Sequence, residues 1–453
     1  MIKKIRLKRG LDIPLIGKAQ SRIEQAITSR FYTIFPDDYP GFIPKITIQA
    51  GDSVQAGTPL LYDKNRPEIK IVSPVSGVIM AVNRGEKRKL QNIVIEASDK
   101  MSYLNFGPKD PLSLSPEELK AILCEAGLFA LIKQRPYNIV ANPADKPRDI
   151  FVSAFYSAPL APKFALVLSG FEADFQAGLD VLTKLTDGTV YVSVLEGTAI
   201  PLQNVQRVIF KGPHPAGNVG VQINNIQPIN KGETVWTVLP QDVIVIGRLF
   251  NKGITDFTRL AVLTGSEVKE KARAYYPMLP GVSIAGITSS QMINQEGKKR
   301  YISGNVLTGT QIEADGSLHA SDNQITIIPE GDDTHEVLGW ILPRFNQFSF
   351  SKSYPAVWLN RFFKKKYHFD ARIKGGQRAM ILSNEWDKVF PMDILPEFLI
   401  RAILSQEVDK MEDLGIYEVA PEDFALCEYV DTSKMELQKI VKEGLDWLYK
   451  EMN

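Results

Sequence analysis

Cysteine is nearly missing from this chain. Only Cys124 and Cys427 occur in 453 residues, far apart and outside any C-x-x-C spacing. Zinc and iron–sulfur centres held by thiolates need several cysteines at close spacing, so a structural zinc or a cysteine-held cluster is excluded. A disulfide framework is excluded on the same count, which fits a reducing compartment. Charge of either sign is not in excess: 53 Lys and Arg face 52 Asp and Glu, a net charge of +1. No basic patch of domain size exists, so nucleic acid is not an expected partner. Long apolar runs are also lacking. A membrane-spanning helix needs roughly 18 or more consecutive apolar residues, and the longest candidates, 242–247 and 164–168, read as buried strands. The N-terminal MIKKIRLKRG is basic but has no apolar stretch behind it, unlike a signal peptide. The expected location is the cytoplasm. Nucleophile elbows of the G-x-S-x-G type, H-E-x-x-H helices and phosphate loops ending in Gly-Lys-Ser/Thr are not found, so no self-contained active site is visible.

What is present is the composition of an ordinary globular protein, 44% hydrophobic and 23% charged. The length suggests about three domains, and the fold class expected is multidomain α/β. The most informative stretch is Ile46 to Ala97. Two β-rich runs each lead into a Gly-acid turn, Gly51-Asp52 and Gly85-Glu86, with a Ser-Pro-Val-Ser-Gly corner at 73–77 between them. Glycine supplies the positive φ of tight turns, and the Ile/Val alternation suits half-buried strands. This self-similar pattern predicts a lipoyl/biotinyl-like barrel-sandwich module over 1–100. Carrier modules hold a prosthetic group on a lysine at the hairpin tip. Here the tip is Asp63-Lys64-Asn65-Arg66-Pro67, without the usual flanking residues, so a structural platform is favoured over a carrier modified at Lys64.

A Rossmann-like α/β domain is expected over 101–254, because strand-like runs at 149–153, 189–194 and 208–210 alternate with helical segments. One helix, 116–132, starts with Ser115 as N-cap, Pro116 in its first turn and Glu118 completing a capping box. Cys124 on that helix reads as a small buried hydrophobe, as does Cys427. The domain contains one loop able to approach a ligand, Gly212-Pro213-His214-Pro215-Ala216-Gly217-Asn218-Val219-Gly220. Three glycines after a strand bring backbone N–H groups near an anion. The spacing matches neither dinucleotide nor P-loop fingerprints, and Asn218 and Val219 stand where a P-loop has Lys and Ser/Thr. The alternatives are a rigid Pro/Gly loop shaped for a protein partner or for sheet closure, and a stand-alone flavin or dinucleotide site. His214 is the best placed of the four histidines.

Short Gly-punctuated strands over 255–312, among them 282–286, predict a small β-grasp-like domain. The remainder, 313–453, reads as a strand at 323–330 followed by a mostly helical region, with an amphipathic helix over 434–452. Within it, YPAVWLNRFFKKKYHF (354–369) interleaves rings with cations. Arg361, Phe362, Phe363, Lys364, Lys365 and Lys366 form a candidate membrane or partner patch.

The run GPHPAGNVGVQINNIQPINKGETVWTVLPQDVIVIGRLF (212–250) resembles the central segment of the A subunit of the bacterial Na+-translocating NADH:quinone oxidoreductase. SPVSGVIMAVNRGEKR (73–88), YISGNVLTG (301–309), NQITIIPEGDD (323–333), GGQRAM (375–380), PMDILPEFLIRAIL (391–404) and DFALCEYV (423–430) resemble the same family in the same order, across nearly the whole chain. The resemblance implies a peripheral subunit on the cytoplasmic face of the inner membrane, with no redox cofactor of its own. It implies that flavins, iron–sulfur and NADH belong to other subunits. It also implies a link to the quinone-reducing end and docking on the quinone-side membrane subunit, with Gly212, Pro213, His214, Pro215, Gly217 and Gly220 as the quinone or interface loop. The catalytic, cofactor and metal residues implied in this chain are none. The chain departs from the family pattern at Gln222 and Asn224, where many members have histidine.

Overall fold

The computed structural model describes residues 3–290, 292–331, 347–352 and 365–452. Alternating apolar residues fold its first module into two facing sheets. Along Leu90–Ala97, Ile93 and Ile95 are fully buried while their neighbours are partly exposed. One sheet has the order Phe31–Ile34, Leu90–Ala97, Gly77–Arg84, Ser53–Val54, and the other Pro44–Ile46, Pro59–Asp63, Lys70–Val72. Leu60, Leu61, Ile71, Val75 and Ile79 fill the space between them, giving a barrel-sandwich. Gly77 is required there: a Cβ would lie 2.0 Å from the Glu96 carbonyl oxygen on the neighbouring strand. The hairpin tip is pinned to the rest of the protein. Arg66 pairs with buried Asp63 at 2.7 Å and donates to the carbonyl oxygens of Gly41, Val140 and Ala141. Lys64 beside it is exposed.

A seven-stranded sheet follows, in the order Lys3–Arg6, Gln206–Lys211, Val190–Leu195, Ile150–Ser153, Val235–Val238, Ile132–Arg135, Ile139–Val140. The first five strands are parallel, and the last two join antiparallel. Its outermost parallel strand, Lys3–Arg6, comes from the segment expected to belong to the first module. Side chains alternate between two cores. Ile150, Val152, Val192, Trp236 and Val238 face one, while Phe151, Val208, Phe210 and Val235 face the other. Helices Glu172–Lys184 and Pro240–Lys252 pack on each other on the first side. Their backbones touch at glycines: a Cβ on Gly247 would lie 1.7 Å from the Asp174 carbonyl oxygen, and one on Gly178 2.0 Å from that of Val243.

Two expectations are corrected here. The 242–247 run is not a strand but the middle of helix Pro240–Lys252, and 164–168 forms the short helix Phe164–Leu168. Every residue from Pro240 to Phe250 is buried. The four consecutive β-branched residues Val243 to Ile246 form a short apolar run, which the pattern alone cannot separate from a buried strand.

The five-stranded sheet has the order Tyr275–Met278, Arg259–Thr264, Gln324–Pro329, Lys299–Ser303, Thr310–Ile312. Its central strand thus comes from beyond residue 312. The 282–286 stretch, expected as a strand, leads into the helical turn Ala285–Thr288. In the C-terminal region, helices Pro396–Ser405, Val408–Asp413, Ala425–Val430 and Leu437–Met452 build the second core with Trp386, Phe390 and Phe424. That core covers the second side of the seven-stranded sheet, together with Val219–Ile226. The capping box at Ser115 is present, with both reciprocal bonds formed. Its helix stops at Glu125 rather than near 132, just before Gly127 turns the chain at a φ of +71°.

Candidate functional site

In an open parallel sheet, neighbouring strands whose connections leave in opposite directions open a crevice at their carboxyl ends, where ligands bind. Here the chain runs from Ile150–Ser153 to Val190–Leu195 and Gln206–Lys211 on one side. It then crosses through Val219–Ile226 to Val235–Val238 on the other. A cavity of about 190 Å³ opens at that point. Its walls come from three regions: Ser153, Tyr156, Ser157, Lys133 and Thr237 from the α/β layer, Asn305 and Asp322 from loops that join strands of the five-stranded sheet, and Glu422 from the C-terminal region.

The loop 212–220 runs along this cavity, with His214 and Gly217 lining it. Gly212, Pro213, Pro215 and Gly220 support the loop from behind. A Cβ on Gly212 would lie 2.8 Å from Leu7 Cβ, one on Gly217 2.7 Å from the Ser157 nitrogen, and one on Gly220 2.3 Å from Asp423 Oδ2. The room that an anion would occupy beside these glycines is thus filled by the protein itself. The N-terminal segment clamps the loop. Leu11 donates its N–H to the His214 carbonyl at 2.8 Å, and the His214 N–H donates to Asp12 Oδ1 at 2.9 Å.

His214 is 3% exposed, and burial pushes its imidazole down to about 4, so the ring is neutral near pH 7. Ser157 Oγ accepts the Gly217 N–H at 2.7 Å and lies 2.9 Å from Nδ1. Either tautomer of the neutral ring satisfies this contact, because the hydroxyl can donate to a bare Nδ1 or accept from an Nδ1–H with its second lone pair. Nε2 is buried and has no hydrogen-bond partner among the described residues. A buried polar atom without a partner costs about 1–3 kcal/mol.

Lys133, Tyr156, Asp322 and Glu422, which carried no distinguishing local pattern, complete the walls. Burial raises the Tyr156 phenol, whose side chain bonds with Gln241 and Asn323. Burial also pushes Asp322 up to about 6, with Ser303 Oγ donating to Oδ2 at 2.6 Å. Glu422 is raised by burial and by neighbouring Asp423, while Arg135, fully buried, pairs with both at 3.3 Å.

Gln222 and Asn224 hold structure together. Gln222 Nε2 donates to Ser153 Oγ at 2.8 Å and to the Ala216 carbonyl at 3.0 Å. Asn224 Nδ2 donates to Glu418 Oε2, and its Oδ1 accepts from the Asp393 N–H. Of the basic-aromatic patch, Arg361, Phe362, Phe363 and Lys364 lie outside the described residues. Lys366 is exposed, and the Lys365 ammonium sits 5.6 Å from the Tyr367 ring centroid. Cys124 and Cys427 are buried. Among the described residues no group of three or more His, Cys, Asp or Glu could hold a metal, and no helix is long and apolar enough to cross a membrane.

A barrel-sandwich followed by an α/β layer with a cavity at its switch point defines a class of multidomain α/β chains, and family models resolve which one. The NqrA N-terminal barrel-sandwich hybrid domain matches residues 5–98, the NqrA second alpha/beta domain 114–255, and the NQRA C-terminal domain 262–314. Full-length relatives agree. The A subunit of the Na(+)-translocating NADH-quinone reductase of Yersinia pseudotuberculosis is 34% identical over 454 residues, 99% of this chain and 100% of that protein. The same subunit of Neisseria meningitidis is 34% identical over the same shares, and that of Haemophilus influenzae 36% over 458 residues. The chain belongs to this A-subunit family. An NAD+-reducing [NiFe]-hydrogenase overlaps 51% of this chain and 52% of its own, at a TM-score of 0.34 and 12% identity, too loosely to define a shared fold.

Proposed function

We propose that this chain is a peripheral subunit of the Na+-translocating NADH:quinone reductase, the complex that couples NADH oxidation and quinone reduction to Na+ export. It sits on the cytoplasmic face of the bacterial inner membrane and docks chiefly on the quinone-side membrane subunit. It supports the quinone-reducing end and assembly without a redox cofactor of its own; flavins, iron–sulfur and NADH are handled elsewhere in the complex. The α/β layer is read as Rossmann-like and the five-stranded sheet as β-grasp-like. The identity that runs the full length of the relatives carries the assignment to this complex. The quinone role is supported by His214, which lines the cavity at the switch point and whose Nε2 has no hydrogen-bond partner among the described residues. A stand-alone flavin or dinucleotide enzyme is the weaker reading, because the spaces beside Gly212, Gly217 and Gly220 are already filled.

Two measurements test this. Na+-stimulated NADH:quinone reductase activity should vanish from membranes of cells lacking the gene and return on adding the purified, colourless chain. Activity that persists in the deletion strain would overturn the assignment. In the assembled complex His214→Ala should weaken quinone affinity about fivefold, the worth of one neutral hydrogen bond. Unchanged affinity and turnover would remove the loop from the quinone site.

A further inference from the structure

Asp322 is a partly buried carboxyl in the wall of the cavity. Carboxylates are rarely buried unless a cation or several donors compensate them. Asp322 is half-buried in the cavity wall, yet among the described residues no cation lies within ion-pair distance of it. The groups that face it are engaged elsewhere. The His319 ring pairs with Asp38 at 2.5 Å and stacks on Phe35, and Arg259 pairs with Asp242 at 2.9 Å. One oxygen, Oδ2, accepts from Ser303 Oγ, which is itself oriented by the His319 N–H at 2.9 Å. Oδ1 lies against the backbone of Gly304, where a Cβ would come within 3.0 Å of it. This is a positioned carboxyl without a structural counter-charge, in the same cavity as His214.

We propose that Asp322 delivers a proton to the quinone reduced in this cavity, an inference that rests on the quinone-end reading above. The division of labour follows from the chemistry. His214 is neutral, with a single ring hydrogen, so it can hydrogen-bond to a ligand but carries no acidic imidazolium proton to release near neutral pH. Asp322 is held near 6 by burial, opposed by the Ser303 hydrogen bond and by the positive charges of His319 and Arg259, and reinforced by Asp38. A carboxyl poised there takes a proton from water and passes it to a stronger base. Reduction of a quinone to the quinol takes two electrons and two protons. The electrons come from a reduced flavin of a partner subunit. The carboxyl O–H of Asp322 breaks as an O–H forms on one quinone oxygen, and water reprotonates the carboxylate. The second proton comes from solvent.

The test uses the assembled complex. Asp322→Asn keeps the shape and the Ser303 bond but cannot release a proton. It should lower NADH-driven quinone turnover at least tenfold, the lower end for one acid–base group, and leave reduction of ferricyanide, which takes electrons without protons, unchanged. Affinity of the purified chain for a short-chain ubiquinone should stay within about twofold, since a hydrogen-bonding side chain is retained. The inflection near pH 6 in the wild-type turnover profile should disappear, and Asp322→Glu should restore part of the rate. Wild-type turnover and profile in Asp322→Asn would overturn the proposal. If Asp322→Asn fails to assemble, Ser303→Ala decides. Removing that donor should move the inflection to higher pH, and an unmoved inflection overturns the proposal. Absence of ubiquinone binding to the wild-type chain would instead sink the quinone-end reading. Binding that His214→Ala weakens while Asp322→Asn changes neither rate nor profile would reject Asp322 alone.

Discussion

Substituting Gly247 by alanine sets two known effects against each other. Alanine favours a helix interior over glycine by about 1 kcal/mol, so the helix Pro240–Lys252 by itself should gain. The tertiary structure opposes this. The new Cβ would sit 1.7 Å from the Asp174 carbonyl oxygen and 2.6 Å from the Gly178 nitrogen, both backbone atoms of the facing helix. To reach even 3.0 Å from that oxygen the helices must part by 1.3 Å, the difference 3.0 − 1.7. A gap of about 1 Å already loses up to half of each contact energy along the interface, and overpacking a filled core costs roughly 3 kcal/mol. The net expectation is destabilisation by about 2 kcal/mol, equivalent to a Tm lower by roughly 4–8 °C for a domain of this size. Urea denaturation of the purified chain, followed by the burial-sensitive fluorescence of Trp236 and by far-UV circular dichroism, reads this as a lower midpoint at unchanged slope. Gly286→Ala is the control, since nothing lies within 4 Å of its added carbon. A Gly247→Ala protein as stable as wild type, or more so, would refute the close-crossing argument.

Other outcomes follow from the same geometry. Arg135→Met leaves Asp423 buried without its cation and should cost about 3–5 kcal/mol in chemical denaturation; adding Asp423→Asn should recover part of it. His214 has a folded pKa depressed from 6.5 to about 4, so the unfolded chain binds the proton more readily. Its contribution, about 3 kcal/mol, is fully present above pH 6.5 and is lost as pH falls toward 4. Stability against pH, compared between wild type and His214→Gln, measures this. Asp322, raised to about 6, contributes oppositely, losing stability as pH rises from about 4 through 6, and Asp322→Asn should abolish that slope. Burial pushes the Cys124 thiol up to about 12 and Cys427 well above its ordinary value, so iodoacetamide at pH 8 should modify neither in the native chain and both in urea.

The parts of this protein that depend on neighbours in the chain are legible in the sequence alone. Ser115 and Glu118 cap their helix through bonds three residues apart, and Ile93 and Ile95 announce a half-buried strand by alternation. His214 stands out because two prolines and three glycines surround it. The features that decide the site do not have that property. Lys3–Arg6 completes a sheet with Gln206–Lys211 some two hundred residues away. The β-branched run Val243 to Ile246 reads as a strand by itself, and it is the packing of the whole segment Pro240–Lys252 that makes it a helix. Asp322 and Glu422 are unremarkable in their own segments and gain meaning only when three regions of the chain close around one cavity with His214. Turn and cap chemistry is local and therefore written in short stretches of sequence. Burial, desolvation and the meeting of distant side chains are collective properties, and only the packed tertiary structure decides them.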